Sequence, residues 1–278
     1  MEQNKLPVSD ECPIAGEMPM LGLGTWKNSD PTACAESVAT ALETGYRHID
    51  TAQVYNNEAA VGNGIEQAVV DREEVFLATK IWIDNLAYDN VLETAEASLD
   101  RLGVDSVDLL YVHWPSRTYD AEETLAAFNR LFEQGKIDRI GVSNFEPPQI
   151  AEAIALSDAP IFANQIEIHP LLQQEELREV CADHDIELVA YSPLARGAVF
   201  DVPEIASIAD DHGVSPAQIS LAWLRHHGVT AIPKATGAEH IRDNWASLSV
   251  SLSDAEIKTI DNIETTDRRV DPDFGPWN

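Results

Sequence analysis

The chain has 278 residues and carries 48 Asp+Glu against 18 Lys+Arg, a formal net charge of −30 on an ordinary apolar fraction of 44%. Such a balance repels nucleic acid and anionic membrane surfaces, and no run of 18 apolar residues offers a membrane span. Regular apolar blocks exclude disorder, the usual alternative for a highly charged chain, and the length suits one α/β barrel with a large core.

After a polar N-terminal segment, Met20-Leu21-Gly22-Leu23-Gly24-Thr25-Trp26 reads as a short strand with a glycine-opened end. Asp30 and Pro31 have the chemistry of an N-cap and a first helical position, and the apolar positions behind them run to Leu42. Alternation through Tyr46, His48 and Asp50 gives a second strand; a loop carrying Tyr55 follows, then a helix over 57–70. The nearly continuous apolar run 75–82 suits a strand covered on both faces, as in a parallel sheet, and its end carries Lys80. A helix over 90–102 leads to a strand over 107–115 that ends near His113. Helix 121–134, strand 139–143, helix 147–156, strand 161–167, helix 174–184 and strand 187–192 continue the alternation. Helical segments between 203 and 226, a strand at 229–233 and helices at 238–248 and 254–263 complete it. Eight strands, each followed by a helix and without a linker, predict a single-domain (β/α)8 TIM barrel over 1–278. The barrel occupies about 20–250, and a C-terminal helix and tail occupy 251–278.

Cys12, Cys34 and Cys181 are widely spaced with no CxxC pair, so reduced thiols are expected, with neither a disulfide framework nor a thiolate metal site. Glu2, Lys5, Asp10 and Glu11 break any signal-peptide pattern, and the expectation is a soluble cytoplasmic protein. At molar salt the Debye length falls to about 3 Å and self-repulsion is screened, which predicts a salt-requiring protein from a halophilic cell. Only six lysines are present (Lys5, Lys27, Lys80, Lys136, Lys234 and Lys258), so one at a strand end within an apolar run is expected to have a task there.

Neighbouring strands in a sheet lie about 4.8 Å apart, so residues at successive strand ends share the carboxyl-end face. Asp50, Lys80 and His113 end strands two, three and four, and Tyr55 lies on the loop above Asp50. An Asp/Tyr pair reads either as a buried tyrosine bonded to a capping aspartate or as a phenol tuned for proton donation. In the second reading Lys80, held by Asp50, favours phenolate, and neutral His113 donates to a carbonyl oxygen that gains charge on reduction. No side chain here supplies electrons. Ser143, Asn144 and Gln165 at later strand ends are placed to fix a nicotinamide carboxamide, and Tyr191 to lie against its ring.

Gly45 to Glu58, Ala78-Thr79-Lys80, Val112-His113-Trp114-Pro115, Gly141-Val142-Ser143-Asn144-Phe145, Asn164-Gln165-Ile166-Glu167-Ile168-His169-Pro170 and Ile232-Pro233-Lys234 resemble the successive motifs of the aldo-keto reductase family, in the right order over about 20–265. The resemblance implies a catalytic tetrad of Asp50, Tyr55, Lys80 and His113, with Tyr55 as general acid in carbonyl reduction and, as phenolate, the base in alcohol oxidation. It also implies an extended nicotinamide dinucleotide bound without a Rossmann fold, and the chain has no GxGxxG at a strand-to-helix turn. Coenzyme contacts are implied at Thr25, Trp26, Asp50, Ser143, Asn144, Gln165, Tyr191, Ser192, Leu194, Lys234, Ala235, Thr236, His240 and Asn244. Relatives that prefer NADPH commonly carry a serine and an arginine where this chain has Ala235 and His240, and His lacks the bidentate fork of Arg. The expectation is NADPH use with weakened preference, NADH serving comparably.

Trp26, Trp82 and Trp114, with Tyr55 and His113, are expected to wall a substrate cup for aldehydes and ketones. Taken singly, each tryptophan reads equally as a core or rim aromatic. The polar, Pro/Gly-rich tail from Arg268 to Asn278 reads either as a flap that brings Trp277 to the substrate or as a disordered end. A short tail resembles microbial members that reduce 2,5-diketo-gluconate-like keto-sugar acids and small carbonyls, acting as a monomer or weak oligomer. Two rivals stand beside this reading. One is a barrel hydrolase with a divalent metal on His48, Asp50, His113 and His169; otherwise His48 is an interior packing residue and no metal is expected. The other is a coenzyme-binding subunit without turnover.

Overall fold

A computed structural model describes residues 12–278; the polar segment bearing Glu2, Lys5, Asp10 and Glu11 lies outside the described residues. Eight parallel strands follow the chain order around the sheet. They are β1 (Leu23–Gly24), β2 (His48–Asp50), β3 (Phe76–Ile81), β4 (Leu109–Val112), β5 (Ile140–Ser143), β6 (Ile161–Glu167), β7 (Glu187–Tyr191) and β8 (Thr230–Ala231). The seam between β1 and β8 is closed by Gly22 N–H donating to Ala231 O at 2.9 Å and Ala231 N–H donating to Met20 O at 2.9 Å. Gly24 N–H adds a bond to Pro233 O at 3.2 Å. A Cβ on Gly24 would stand 2.6 Å from Ile232 O, so only glycine lets the two ends of the sheet meet.

The predicted first and last strands, 20–26 and 229–233, are reduced to two residues each. At this seam pairing survives as isolated bridges at Leu21 and Gly24, and Pro233 has no N–H to offer. An antiparallel hairpin, Ile14–Ala15 with Met18–Pro19, precedes the barrel and was not foreseen. Its Met18 is fully buried and joins Phe76, Ala78, Leu109, Tyr111, Ala163, Val189 and Ile232 in the barrel's interior cluster.

Strand pleating explains the polar residues at the barrel mouth. On β3 the interior face runs Phe76, Ala78, Lys80; on β6 it runs Ala163, Gln165, Glu167; on β2 it runs His48, Asp50. Each strand therefore carries an apolar or packing residue low in the barrel and a polar one at its carboxyl end. His48 is such a packing residue, edge-on to Phe76 at 5.2 Å between ring centres, with Nδ1 3.1 Å from Pro19 O.

The helices α1 (Pro31–Thr44), α2 (Glu58–Gln67), α3 (Tyr88–Leu102), α4 (Ala121–Glu133), α5 (Pro147–Leu156) and α6 (Glu175–Asp183) link successive strands. Asp30 caps α1 as predicted, its side chain accepting Ala33 N–H at 2.8 Å. That helix ends at Gly45, where φ is 131° and a Cβ would stand 2.7 Å from the Trp245 ring, so both backbone and space demand glycine. The crossover from β7 to β8 departs from one helix per strand. A kinked 3-10 segment, Ala195–Asp201, precedes α7 (Pro203–His212) and α8 (Pro216–His226). After β8 come α9 (Ala238–Ala246) and α10 (Asp254–Asp261), and the tail returns across the barrel mouth.

Candidate active site

The four predicted tetrad residues converge at the carboxyl ends of β2, β3 and β4. Lys80 Nζ donates to Asp50 Oδ1 and, at 2.7 Å, to Thr51 O. Gln165 Nε2 donates to the second carboxylate oxygen of Asp50 at 2.8 Å. Lys80 is 0% and Asp50 2% exposed, so this is a fully desolvated ion pair with both carboxylate oxygens engaged. The ammonium stands 5.3 Å from the centre of the Tyr55 ring, and His113 meets that ring edge-on at 5.9 Å.

Tyr55 ends a single 3-10 turn, Gln53–Tyr55, which local side chains hold in place. Gln53 Nε2 donates to Thr94 O at 3.0 Å, and its Oε1 accepts Trp82 N–H at 3.0 Å and Asn85 Nδ2–H at 3.2 Å. Asn57 Nδ2 donates to Thr25 O at 2.9 Å and to Asn28 O at 3.2 Å, tying the first two strand-end loops together. Behind Lys80, buried Glu58 accepts Thr79 Oγ1–H on Oε1 at 2.6 Å and two charge-assisted bonds from Arg101 on Oε2 at 2.8 and 2.6 Å. Sequence reasoning passed over Gln53, Asn57 and Glu58. Their only signal was position within the stretch that carries Asp50 and Tyr55.

The Tyr55 phenol is on balance held protonated, against the expectation that Lys80 acidifies it. Burial, then the negative charge of Asp50 and the neighbouring Tyr191, push the Tyr55 phenol well above its ordinary value. The Lys80 ammonium is shared between Asp50 and Thr51; burial lowers its own pKa, against the pull of Asp50 and Glu58. His113 is driven well below its ordinary value by burial and then by Lys80, so its imidazole is neutral at pH 7. Proton donation requires protonated Tyr55, retained above pH 10, and neutral His113, retained below pH 6.5. The reductive kcat/KM is therefore expected to be flat between those two values, falling only outside them. A pH profile with a limb centred inside that window contradicts the assignment.

Above the tetrad opens a cavity of about 650 Å3. Thr25, Trp26, Asp50, Asn144, Gln165, Tyr191, Ser192, Leu194 and Lys234 all line it, as predicted. Ser143 lies beneath, its hydroxyl donating to Gln165 O at 2.7 Å and accepting Asn144 Nδ2–H at 3.0 Å. Asn144 Oδ1 accepts the Tyr191 hydroxyl at 2.7 Å. Asn144 Oδ1 and Gln165 Oε1 thus keep acceptor capacity suited to carboxamide N–H groups, and the Tyr191 ring borders the same space. Lys27, Arg196 and Lys234 also line the cavity, a gathering of cations in a chain of net charge −30 that fits the phosphates of a dinucleotide. Lys27 Nζ and the Arg196 guanidinium both lie over the Trp26 ring, at 4.4 and 4.6 Å. Arg196 escaped the sequence reading because it stands outside any strand, on a turn with left-handed residues at Ala195, Arg196 and Gly197. Besides Ser143, four predicted contacts stand apart from the cavity lining. Ala235 is buried beside Lys234, Asn244 is buried in α9, and Thr236 and His240 are exposed near the start of α9.

Trp26, Tyr55, Trp82, His113 and Trp114, the residues expected to face a substrate, all line the cavity, and Val54 adds to the lining. The tail folds over the mouth. Phe274, with Val270 and Pro272, lines the cavity, its ring edge-on to Trp82 at 6.1 Å and Trp114 at 5.4 Å. Trp277, left open as a substrate contact or part of a disordered end, stands outside the cavity lining: its Nε1 donates to Asp271 at 2.8 Å and Arg268 stacks on its ring at 3.9 Å. For the rival hydrolase, no group of three or more His, Cys, Asp or Glu among the described residues is spaced to hold a metal. Asp50 is bound to Lys80 and Gln165, and His169 Nε2 is 3.0 Å from Glu167.

The barrel is shared with proteins of solved structure, and much of its sequence with curated relatives. The chain is 40% identical over 256 residues to a glyoxal reductase of Bacillus subtilis (strain 168), covering 92% of each. It is 40% identical over 261 residues to a 9,11-endoperoxide prostaglandin H2 reductase of Trypanosoma cruzi (strain CL Brener), again covering 92% of each. The crystal structure of a Bombyx mori aldo-keto reductase in complex with NADP superposes with a TM-score of 0.87 at 32% identity, over 97% of this chain and 96% of that one. The sequence profile of the aldo/keto reductase family matches residues 20–265, the span of all the motifs read above. These matches carry NAD(P)H-dependent carbonyl reduction to this chain, which belongs to the aldo/keto reductase family.

Proposed function

We propose that this chain reduces small aldehydes and ketones, among them 2-oxoaldehydes, keto-sugar acids and aldoses, with Tyr55 as the proton donor. The observation that carries the assignment of roles is the fully buried Lys80–Asp50 pair set 5.3 Å beneath the Tyr55 ring at the base of the cavity. The hydride that becomes the new C–H bond would come from a bound reduced nicotinamide. Tyr55 Oη gives its proton to the carbonyl oxygen as the C=O bond becomes a C–O single bond. Neutral His113, with its proton on Nε2, donates a hydrogen bond to the same oxygen and stabilises its growing charge. Asn144 and Gln165 would orient the carboxamide of the coenzyme, Tyr191 would support its ring, and Lys27, Arg196 and Lys234 would hold its phosphates. Carbonyl-dependent loss of absorbance at the reduced-nicotinamide band, measured in high salt over a panel of such substrates, tests this. Absence of affinity for both coenzymes overturns it, and tight coenzyme binding without turnover favours the non-catalytic rival.

Ala235 and exposed His240 offer no forked grip for a 2′-phosphate, while Lys234 supplies one cation. NADPH and NADH are expected to support catalytic efficiencies within about tenfold of one another, the scale of one lost contact at 1.4 kcal/mol. A thousandfold preference for NADPH contradicts this. The acidic surface is proposed as an adaptation to salt. The thermal midpoint is expected to rise when KCl is raised from about 0.1 M to molar levels, where the Debye length shrinks from about 10 Å to about 3 Å. A midpoint that is flat or falling with salt removes the halophilic reading. We propose that the protein acts as a monomer or weak oligomer in the cytoplasm.

A further inference from the structure

We propose that Glu167 is a positioning residue that fixes the substrate wall to the coenzyme shelf, by clamping the backbone of the C-terminal tail with its buried carboxylate. This rests on the carbonyl-reductase reading above. Glu167 is the last residue of β6, on the same face as Gln165, so one strand presents an amide to catalytic Asp50 and, two residues later, a carboxylate to the rim. It is 0% exposed. Its Oε1 accepts Arg269 N–H at 2.8 Å and its Oε2 accepts Val270 N–H at 2.8 Å. His169 Nε2, at 3.0 Å from Oε1, supplies a third donor.

A carboxylate this deep is retained only when its oxygens are satisfied, and here two of the three donors come from the tail backbone. Charge-assisted bonds of this kind are about twice as strong as neutral ones, so an otherwise irregular segment gains a fixed point. That point is well chosen for specificity. Val270 itself lines the cavity, and Pro272 and Phe274 follow it over Trp82 and Trp114. On the other side, Glu167 pairs in register with Tyr191, the residue set against the nicotinamide. The clamp therefore fixes the height of the aromatic roof above the coenzyme, and with it the space left for the substrate. A glutamine at this position could not reproduce it: one oxygen would become an NH2 facing a backbone N–H.

The test is a double-mutant cycle read on KM, joined to hydrogen exchange on the unmodified protein. Glu167→Gln is expected to raise KM for a bulky aryl aldehyde by about tenfold, with kcat changed less than about threefold and the NADPH Kd within about twofold, since disorder of the roof touches substrate pre-organisation alone. Phe274→Ala should raise KM comparably. The double variant should be no worse than the larger single effect, because both changes remove the same wall. In the unmodified protein the amides of Arg269 and Val270 should exchange as slowly as those of β6. Additive KM effects, or a coenzyme Kd that shifts as far as KM, overturn the proposal. Exchange of both amides at the rate of free peptide overturns it even if Glu167→Gln fails to fold. Loss of the reductase reading itself would show as absent turnover in the unmodified chain, with amide protection unaffected.

Discussion

Tyr55→Phe is expected to lower the rate of carbonyl reduction by about 100-fold or more while leaving the coenzyme dissociation constant and the thermal midpoint nearly unchanged. The phenyl ring keeps its edge-on contact with His113 and its place over Lys80, so only the proton donor is removed. A hundredfold loss corresponds to about 2.7 kcal/mol of transition-state stabilisation, a reasonable scale for one general acid. Single-turnover rates, with coenzyme affinity from fluorescence titration, separate chemistry from binding. A variant that retains more than a tenth of the activity would assign the proton to another donor. The direction of the Tyr55 shift adds a second arm. A phenol held protonated by burial and by Asp50 is ready to donate near neutrality but costly to ionise, so alcohol oxidation, which needs phenolate, should rise with pH toward and beyond 10 while reduction does not.

Much of the site was legible because a parallel barrel converts chain order into proximity. Asp50, Lys80 and His113 needed only to be recognised at strand ends, and strand spacing then gathered them. The apolar runs around Lys80 and Gln165 also announced buried polar residues, since neither side chain is left in a core without a partner. The state of the phenol was hidden. Nearness of Lys80 was readable, but the sharing of its charge between Asp50 and Thr51, and the depth of the pocket, are properties of the packed whole. Irregular segments were hidden for another reason. Arg196, Phe274 and the 14–19 hairpin lie where no hydrophobic period operates, so pattern reading had nothing to measure. The tail shows this most plainly: composition allowed either a flap or a free end, and what settles it is a carboxylate on β6 that meets two amides about a hundred residues later in the chain.

Lys80→Met is expected to abolish reduction and to destabilise the fold by about 3–5 kcal/mol, because it leaves the Asp50 carboxylate buried without its cation. For a chain of this size the thermal midpoint should fall by on the order of 10 °C. Gln165 keeps its bond to Oδ2, yet one amide cannot replace an ammonium, and Asp50 should respond by taking up a proton. The sign of the pH dependence follows. A carboxyl whose folded pKa is raised above the unfolded value of about 3.9 binds more protons in the native state, so the penalty is absent well below that value. It grows as pH rises toward the new folded pKa and is constant above it. The midpoint difference between Lys80→Met and the unmodified protein should therefore be largest at neutral pH and shrink toward pH 4, read by calorimetry across that range. Adding Asp50→Asn removes the stranded charge, and the double variant should recover much of the lost stability with none of the activity. If Lys80→Met is instead as stable as the unmodified chain at pH 7, the pair is not desolvated as its burial requires, and the assignment of a stranded charge to Asp50 is wrong.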